Sequence, residues 1–132
     1  MNKEIFFVDD DKNLLHAMKL IMHKTPYSVK TFLDPLEMLG SIQQGWGGII
    51  VTDINMPVIN GFEVLKRVKQ IDQDIPVIVL TGNGDVNNVL MALRAGAYDF
   101  LEKPLSKEYL LSCAARALEK RNLILENKSL RK

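Results

Sequence analysis

Short apolar runs alternate with longer amphipathic segments along this sequence. Within the runs, the stretches IFFV, IIV and VIVL are continuously apolar rather than alternating apolar and polar. Continuous runs of this length are typical of parallel β-strands whose sheet is covered on both faces. The predicted strands are Glu4–Val8, Tyr27–Phe32, Gly48–Thr52, Pro76–Leu80 and Tyr98–Leu101.

The segments between the runs carry helix start and stop signals. Residues 34–37, DPLE, combine a capping residue, a proline at the first helical position and a glutamate at the third. Asn60 and Glu63 repeat the cap-plus-glutamate spacing, and Gly96 stands where a glycine commonly ends a helix. Further N-caps are predicted at Asp11, Asp85 and Ser106.

The regular alternation of strands and helices predicts an α/β fold with a right-handed, doubly wound, five-stranded parallel sheet. The run at Tyr27–Phe32 is more polar than the others, which suits an edge strand. In such sheets, binding and catalytic groups collect beyond the carboxyl ends of the strands. Functional side chains are therefore expected at the positions where the strands end.

Charged and polar side chains follow four of the predicted strands. Asp9 and Asp10 follow the first, Asp53 the third and Thr81 the fourth, and Lys103 comes soon after the fifth. Singly, each is ordinary as a turn residue, a helix cap or a solvated lysine. Together they predict one site, where three carboxylates would repel unless a cation intervened. Ligands that are all oxygen favour Mg²⁺, which also accepts a phosphate oxygen.

The composition of the chain mainly excludes other classes of protein. The 132 residues, 47% of them hydrophobic and 25% charged, fit one ordinary domain. A net charge of +1 gives no general attraction to nucleic acid or to an anionic membrane. The single cysteine, Cys113, suits a reducing compartment, and no apolar run approaches the ~20 residues of a membrane span. We expect a cytoplasmic protein without membrane contact.

The stretches VDDD, VTDINMP, VLTG and FLEKP together resemble the receiver domain of two-component response regulators, over residues from about 4 to 120. The resemblance implies a flavodoxin-like sheet with strand order 2-1-3-4-5. It also implies a phosphoacceptor that assists its own phosphotransfer and dephosphorylation and is not otherwise an enzyme. The expected phosphoryl donor is a sensor histidine kinase, and the expected cofactor is Mg²⁺.

The resemblance gives each residue at the strand ends a role. Asp53 matches the phosphorylated aspartate, Asp10 a ligand of Mg²⁺, and Asp9 a neighbour that supports the metal, commonly through water. Thr81 matches the hydroxyl that bonds the phosphoryl group, and Lys103 matches the ammonium that pairs with it. These assignments are implied by the family pattern and are expectations about this chain.

Three further positions match the pattern. Asn55 matches the residue whose backbone carbonyl binds the metal, Phe100 the switch aromatic, and Pro104 a cis proline that holds the preceding lysine inward. Phosphorylation would draw Thr81 inward and let Phe100 turn, which changes the surface formed by the fourth helix, fifth strand and fifth helix. The chain departs from the family at Val58, Asn60 and Gly82, where glycine, aspartate and alanine are commoner.

The helical pattern that follows the fifth strand runs to the end of the sequence, about 39 Å at 1.5 Å per residue. We expect it to project into solvent beyond about Lys120. Leu111, Leu118 and Leu125 are spaced by sevens, and Asn122 could set the register of a short coiled coil. This predicts a homodimer through the C-terminal helix. The alternative is one amphipathic helix folded back on its own domain.

The tail from Arg116 onward has six Lys or Arg against two Glu, which we interpret as a solvated or dimer-flanking face without nucleic-acid contact. GAYDFLEKPLS and ARALEKRNLILENKSLRK are similar to receivers of the nitrogen-regulatory class of transcriptional activators. In that class a linker helix leads into an ATPase and a DNA-binding domain. We expect a receiver over 1–120 and the start of such a linker over 121–132, truncated from a longer regulator.

Two other function classes compete with a phosphorylated receiver. A Mg²⁺-dependent phosphatase with an aspartyl-phosphate intermediate would want a second acid two residues after Asp53, where the chain has Asn55. A receiver-like interaction module that is never phosphorylated would not need the complete set of acids and the lysine. A nucleotide-binding protein is disfavoured because no glycine-rich loop follows the first strand.

Overall fold

The computed structural model describes residues 3–82 and 85–130, in which strands and helices alternate throughout. The strands are β1 (Glu4–Val8), β2 (Ser28–Phe32), β3 (Ile49–Asp53), β4 (Val77–Thr81) and β5 (Asp99–Glu102). The helices are α1 (Lys12–Met22), α2 (Pro35–Leu39), α3 (Gly61–Ile71), α4 (Val86–Arg94) and α5 (Lys107–Leu130). Each predicted strand is therefore present within a residue or two of its expected bounds.

The strands form one parallel sheet in the order β2-β1-β3-β4-β5, which confirms the predicted flavodoxin-like fold. The more polar β2 lies at an edge, as its composition predicts. Pairing places Val8 beside Thr52 and Asp53 beside Leu80. Because all strands run the same way, the residues that follow them meet on one side, which we call the carboxyl edge. The opposite side, where the strands begin, is the amino edge.

Helices cover both faces of the sheet, which explains the continuous apolar runs. One core cluster joins the face of Ile5 and Phe7 to buried residues of α1 and α5. The other joins the face of Phe6 and Val8 to buried residues of α2, α3 and α4. Every residue of β3 and β4 is buried. Burying each such Val, Ile or Leu side chain is worth about 1.5–3 kcal/mol, so these central strands anchor the residues at their ends.

Most of the predicted helix caps are present. The Asp11 carboxylate accepts the amides of Asn13 and Leu14, and Asp34 and Asn60 cap α2 and α3 in the same manner. Asp85 precedes α4 as predicted, but its carboxylate accepts the side-chain amide of Asn88 at 2.8 Å and makes no cap bond to the backbone. Two further signals hold: Ser106 Oγ accepts the Tyr109 amide at 3.5 Å, and Gly96 has φ +105° after α4.

Helix α5 is continuous through Leu130, as the pattern predicts, but the expected projection beyond Lys120 is wrong at Arg121. Arg121 is fully buried, and its guanidinium donates to the Trp46 carbonyl and to Asp72. Further along, Lys128 Nζ lies 3.0 Å from Asp74. These contacts hold the helix against the amino edge of its own domain. Residues 131 and 132 of the predicted linker lie outside the described residues.

Two of the three leucines that are spaced by sevens in α5 pack on the sheet of their own domain. Leu118 is buried in the core, Leu111 packs against the same cluster, and the Asn122 side chain donates to the Leu118 carbonyl of its own helix. A helix lying on a sheet repeats its apolar residues at intervals close to those of a coiled coil. A coiled-coil dimer and a helix folded back on its own domain therefore predict the same sequence pattern. In the part of the chain that the structure describes, no helix has the length and apolarity to cross a membrane.

Candidate functional site

Three aspartates converge at the carboxyl edge. Asp9 and Asp10 directly follow β1, and Asp53 is the last residue of β3, so adjacent strands deliver all three. Each offers one carboxylate oxygen within 4.8 Å of those of the other two. Asp9 and Asp53 are only 1% and 6% exposed, whereas Asp10 faces solvent. The site is thus a pair of buried acids with a third acid at its mouth.

Lys103 reaches into this group of acids. Its Nζ lies 3.1 Å from Asp9 Oδ2 and 3.4 Å from Asp53 Oδ2. The Lys103 amide donates to the Thr81 carbonyl at 2.8 Å, and the bond from Lys103 to Pro104 is cis. The lysine is therefore anchored to the end of β4 and bridges the two buried carboxylates. With all four groups ionised, one ammonium faces three carboxylates, and the site has an excess of negative charge.

Burial and charge act on these groups in opposite directions. Burial raises the pKa of Asp53 above its usual value, and the Lys103 ammonium and the Asn55 amide offset this only in part. Burial likewise raises the pKa of Asp9, with the Asp53 charge adding to the shift. For Lys103, burial lowers the pKa, but the contacts with Asp9 and Asp53 outweigh burial and raise it. The lysine stays charged while both acids lack full compensation.

One carboxylate oxygen is left without an aligned hydrogen bond. Asp9 Oδ1 accepts the Asp11 amide at 2.9 Å, whereas Asp9 Oδ2 has an ion-pair contact with Lys103 but no hydrogen-bond partner of good geometry among the described residues. From the residues that the structure describes, Asp53 Oδ1 accepts only a long bond, 3.4 Å, from the Asn55 amide. Buried oxygens with such poor partners are costly. An oxygen-binding divalent cation such as Mg²⁺ would satisfy them, so the donor set fits that metal.

The remaining predicted residues surround this group. Thr81 is buried at the end of β4, one position beyond the residue that pairs with Asp53. Asn55 has an exposed side chain in the loop after β3. Phe100 lies half-buried on β5 against the core cluster of α2, α3 and α4, and with Pro104 it lines a cavity of about 460 Å³. Their positions are compatible with the roles that the sequence suggested, which concern a phosphorylated state.

The loop from β3 to α3 contains features that the sequence interpretation missed. The Gly61 amide donates to the Ile54 carbonyl at 2.8 Å, which closes the loop against the end of β3. At the tip, Val58 is fully exposed with φ +67°, an unfavourable conformation for a β-branched residue. The available signals were the departure from glycine at Val58 and a poor helix former, Gly61, at the first position of a helix.

Comparisons with known proteins show which family this chain resembles. The family model described as "Response regulator receiver domain" matches residues 5–115. The C4-dicarboxylate transport transcriptional regulatory protein DctD of Pseudomonas aeruginosa is 43% identical over 129 residues, which are 97% of this chain and 28% of that protein. DctD of Rhizobium meliloti is 37% identical over 128 residues, with the same two coverages. The chain therefore spans just over a quarter of the length of these relatives.

A solved structure extends the likeness to three dimensions. The structure of NtrX from Brucella abortus aligns with a TM-score of 0.84 at 28% identity, covering 98% of this chain and 30% of that one. The match includes nearly all of the chain, so the similarity extends to α5 as well as to the sheet and its carboxyl edge.

Proposed function

This chain belongs to the response regulator receiver domain family, and from that membership we propose that it accepts a phosphoryl group from a sensor histidine kinase on Asp53. The observation that carries the proposal is the contact of one ammonium, Lys103, with the two buried carboxylates of Asp9 and Asp53. An ionised, poorly compensated carboxylate at the end of a central strand is a suitable nucleophile. Lys103 and a bound Mg²⁺ would supply the positive charge that an incoming phosphoryl group needs.

The chemistry follows from the residues present. Asp10, Asp53 and the Asn55 carbonyl would hold Mg²⁺, with Asp9 supporting it through water, and the bound metal would neutralise charge on the phosphoryl oxygens. An Asp53 oxygen attacks phosphorus in line while the bond to the donor breaks, which gives an acyl phosphate. Lys103 pairs with the phosphoryl group. Hydrolysis of the acyl phosphate by water regenerates the carboxylate, so the modification is temporary.

The proposed signal leaves the site through Thr81, Phe100 and Pro104. The new acceptor oxygens would draw the Thr81 hydroxyl inward, and this movement would free space for the Phe100 ring to turn. This shifts a conformational equilibrium and so changes the surface that α4, β5 and α5 form. That face is suited to binding because α4 exposes several large apolar side chains: Val86, Leu90, Met91 and Leu93.

The proposed output is control of transcription, since the named relatives are transcriptional regulators. We assign the chain to the nitrogen-regulatory class, as a cytoplasmic receiver over 1–120 with the start of a linker helix over 121–132. An ATPase and a DNA-binding domain would follow in the longer regulator, so this segment itself would contact neither nucleic acid nor membrane. A homodimer through α5 would use its outer side, where Leu123 is 57% exposed, because Leu118 is buried in its own domain.

The test is phosphorylation by a small donor. Incubation with Mg²⁺ and acetyl phosphate should add one phosphate to the intact mass, and Asp53→Asn should abolish the adduct. Asp74→Asn, which alters an aspartate at the amino edge, is the matched control and should behave as wild type. No adduct on wild type would favour an unphosphorylated interaction module. Rapid multiple turnover on small phosphate esters would favour the phosphatase.

A further inference from the structure

We propose that Gly61 is a positioning residue for Asp53. Its lack of a β-carbon lets the first turn of α3 lie directly on the backbone of Asp53 and Ile54, and this contact fixes the Asp53 carboxylate and the Asn55 backbone in their working positions. The inference deepens the proposed function and rests on it, because it concerns the geometry of the proposed phosphoacceptor and metal ligands.

The space at Gly61 is filled by main chain. A β-carbon on Gly61 would lie 2.5 Å from the Asp53 carbonyl oxygen and 2.7 Å from the Ile54 Cα, closer than real β-carbons come to other atoms. The neighbours are backbone atoms of the phosphoacceptor residue and its successor, so no side-chain rotation relieves the overlap. Adding even one methyl group must move the start of α3 or the end of β3.

The contact joins two elements that are each firmly held. On the strand side, the Ile54 amide donates to the Leu80 carbonyl at 3.1 Å, and the Thr52 hydroxyl donates to the Asp53 carbonyl at 3.1 Å. On the helix side, Gly61 is buried and its amide donates to the Ile54 carbonyl, while Asn60 caps the Glu63 amide. A shift at Gly61 is therefore passed to the strand end rather than absorbed in a loose loop.

The hydrogen bond from the Asn55 amide to Asp53 Oδ1 is the contact of the site that is most sensitive to such a shift. At 3.4 Å this bond is already at the long end of the hydrogen-bond range, so a few tenths of an ångström would break it. The same displacement would move the Asn55 carbonyl, the proposed metal ligand, away from the carboxylates. Gly61 thus acts on metal and phosphoryl group through Asp53 and Asn55 rather than by touching either.

Three other described glycines do not lie against the backbone of Asp53. A β-carbon on Gly82, next to Thr81, would meet no atom of the described residues within 4 Å, and one on Gly40 would make ordinary contacts of 3.6 Å. Gly48 is crowded, but by Trp46 and the Glu4 carbonyl at the amino edge. Close approach to the phosphoacceptor backbone is thus a property of Gly61 and not of glycines in general, and Gly40→Ala provides a matched control.

The test compares Gly61→Ala with wild type in three measurements. Mg²⁺ affinity by calorimetry should fall about 10- to 100-fold, as for other changes that displace metal ligands indirectly. The rate of phosphorylation by acetyl phosphate should fall about 100-fold, since misplacement near 1 Å has that cost. In the metal-free protein, hydrogen exchange at the Asn55 amide should accelerate. Gly40→Ala should change none of the three.

A second variant that loses as much stability as Gly61→Ala distinguishes a positioning role of Gly61 from a purely structural one. Ile75, fully buried and remote from the site, can be shortened to Val or Ala, whichever lowers the unfolding midpoint as much as Gly61→Ala does. If Gly61→Ala retains the Mg²⁺ affinity and Asn55 exchange of this variant, the inference is wrong. If Gly61→Ala does not fold, Asn60→Ala loosens the same turn without adding atoms and should weaken Mg²⁺ binding about threefold. Unchanged binding would overturn the inference.

The outcomes for the two proposals are distinct. If wild type binds no Mg²⁺ and takes up no phosphate, the proposed function fails, and Asn55 exchange in the metal-free variants still decides whether Gly61 positions the loop. If wild type is active and both the Gly61 and Asn60 variants match it, only the positioning role fails.

Discussion

At the carboxyl edge Asp9 and Asp53 share one lysine, whereas at the amino edge Asp72 meets Arg121. All three acids are buried beside a cation, yet their titration differs. Burial raises the pKa of Asp72 in the same way, but hydrogen bonds from Arg121, Gly45 and Asp74 outweigh it and lower the pKa to about 2. The pKa values of Asp9 and Asp53 stay raised because burial dominates there.

The number and alignment of donors explain the difference. Asp72 accepts bonds of 2.7–3.0 Å from Arg121, the Gly45 amide and the Asp74 amide. Arg121 in turn directs Nε and Nη2 at the Trp46 carbonyl, and only its Nη1 lacks a partner among the described residues. Donors that fully compensate a buried acid stabilise the fold, whereas acids that stay under-compensated keep the capacity to bind something else. The amino edge is therefore structural, and the carboxyl edge is suited to a ligand.

The largest effect should come from breaking the contact network of Arg121 with Asp72 and Trp46. Arg121→Met leaves Asp72 buried without its cation and removes two donors from the Trp46 carbonyl, which should cost about 3–5 kcal/mol in urea unfolding. Arg116→Met is the control, because its contact with Asp99 is a long, exposed pair at 3.9 Å and should be worth less than about 1 kcal/mol. Equal losses from the two variants would contradict a structural role for the Arg121 network.

Acid titration should reveal the same network. The folded pKa of Asp72, about 2, is below the ordinary value of 3.8, so its stabilisation is fully present above pH 4 and is lost as the pH falls toward 2. The shift corresponds to roughly 2 kcal/mol. In urea unfolding between pH 5 and pH 2, the free energy of unfolding of wild type should lose its excess over that of Asp72→Asn as the pH falls. A constant difference between the two proteins across that range would refute the assignment.

An Asp-to-Asn substitution should have the opposite effect on the free energy of unfolding at the carboxyl edge. Because the pKa of Asp53 is raised, its ionised form opposes folding at neutral pH, and Asp53→Asn should stabilise the metal-free protein by ~0.5–2 kcal/mol. The measurement is urea unfolding at pH 7 with a chelator present. Asp74→Asn serves as the comparison and should give no gain. A loss of stability in Asp53→Asn would mean that the Lys103 contacts already compensate the acid.

A smaller gain should come from relieving the loop beside Asp53. Val58 is fully exposed with φ +67°, a conformation that glycine adopts without cost, so Val58→Gly should raise stability by about 0.5–1 kcal/mol. Val86→Gly is the control, because an exposed valine in the first turn of a helix gains nothing from glycine. Thermal unfolding of the two variants should shift in opposite directions.

Much of the carboxyl edge could be predicted from the sequence. Continuous apolar runs specify parallel strands, and parallel strands bring the residues after them together, so Asp9, Asp53 and Lys103 could be expected to meet. The close approach of Gly61 could not be derived, because a missing β-carbon leaves no chemical group to recognise. It depends on where two backbone segments lie in space.

The amino edge was harder to predict. The sequence places Arg121 in a solvated or dimer-flanking tail, because a helix of this length is longer than one small domain can cover. Its partners, the Trp46 carbonyl and Asp72, are 75 and 49 residues away in sequence. A signal was nevertheless present: Arg121 continues the helical stripe of Leu110, Ala114 and Ala117. The stripe predicts which face is buried, whatever the charge on that face.

The position of Trp46 has a consequence for spectroscopy. It is the single tryptophan of the sequence, its ring centroid lies 4.5 Å from that of Phe6, and its carbonyl receives Arg121. Intrinsic fluorescence of this protein should therefore respond to changes at the Arg121 network and stay nearly constant when Mg²⁺ is added. The chain thus has an optical probe for α5 attachment, and a reporter for Asp53 would have to be introduced separately.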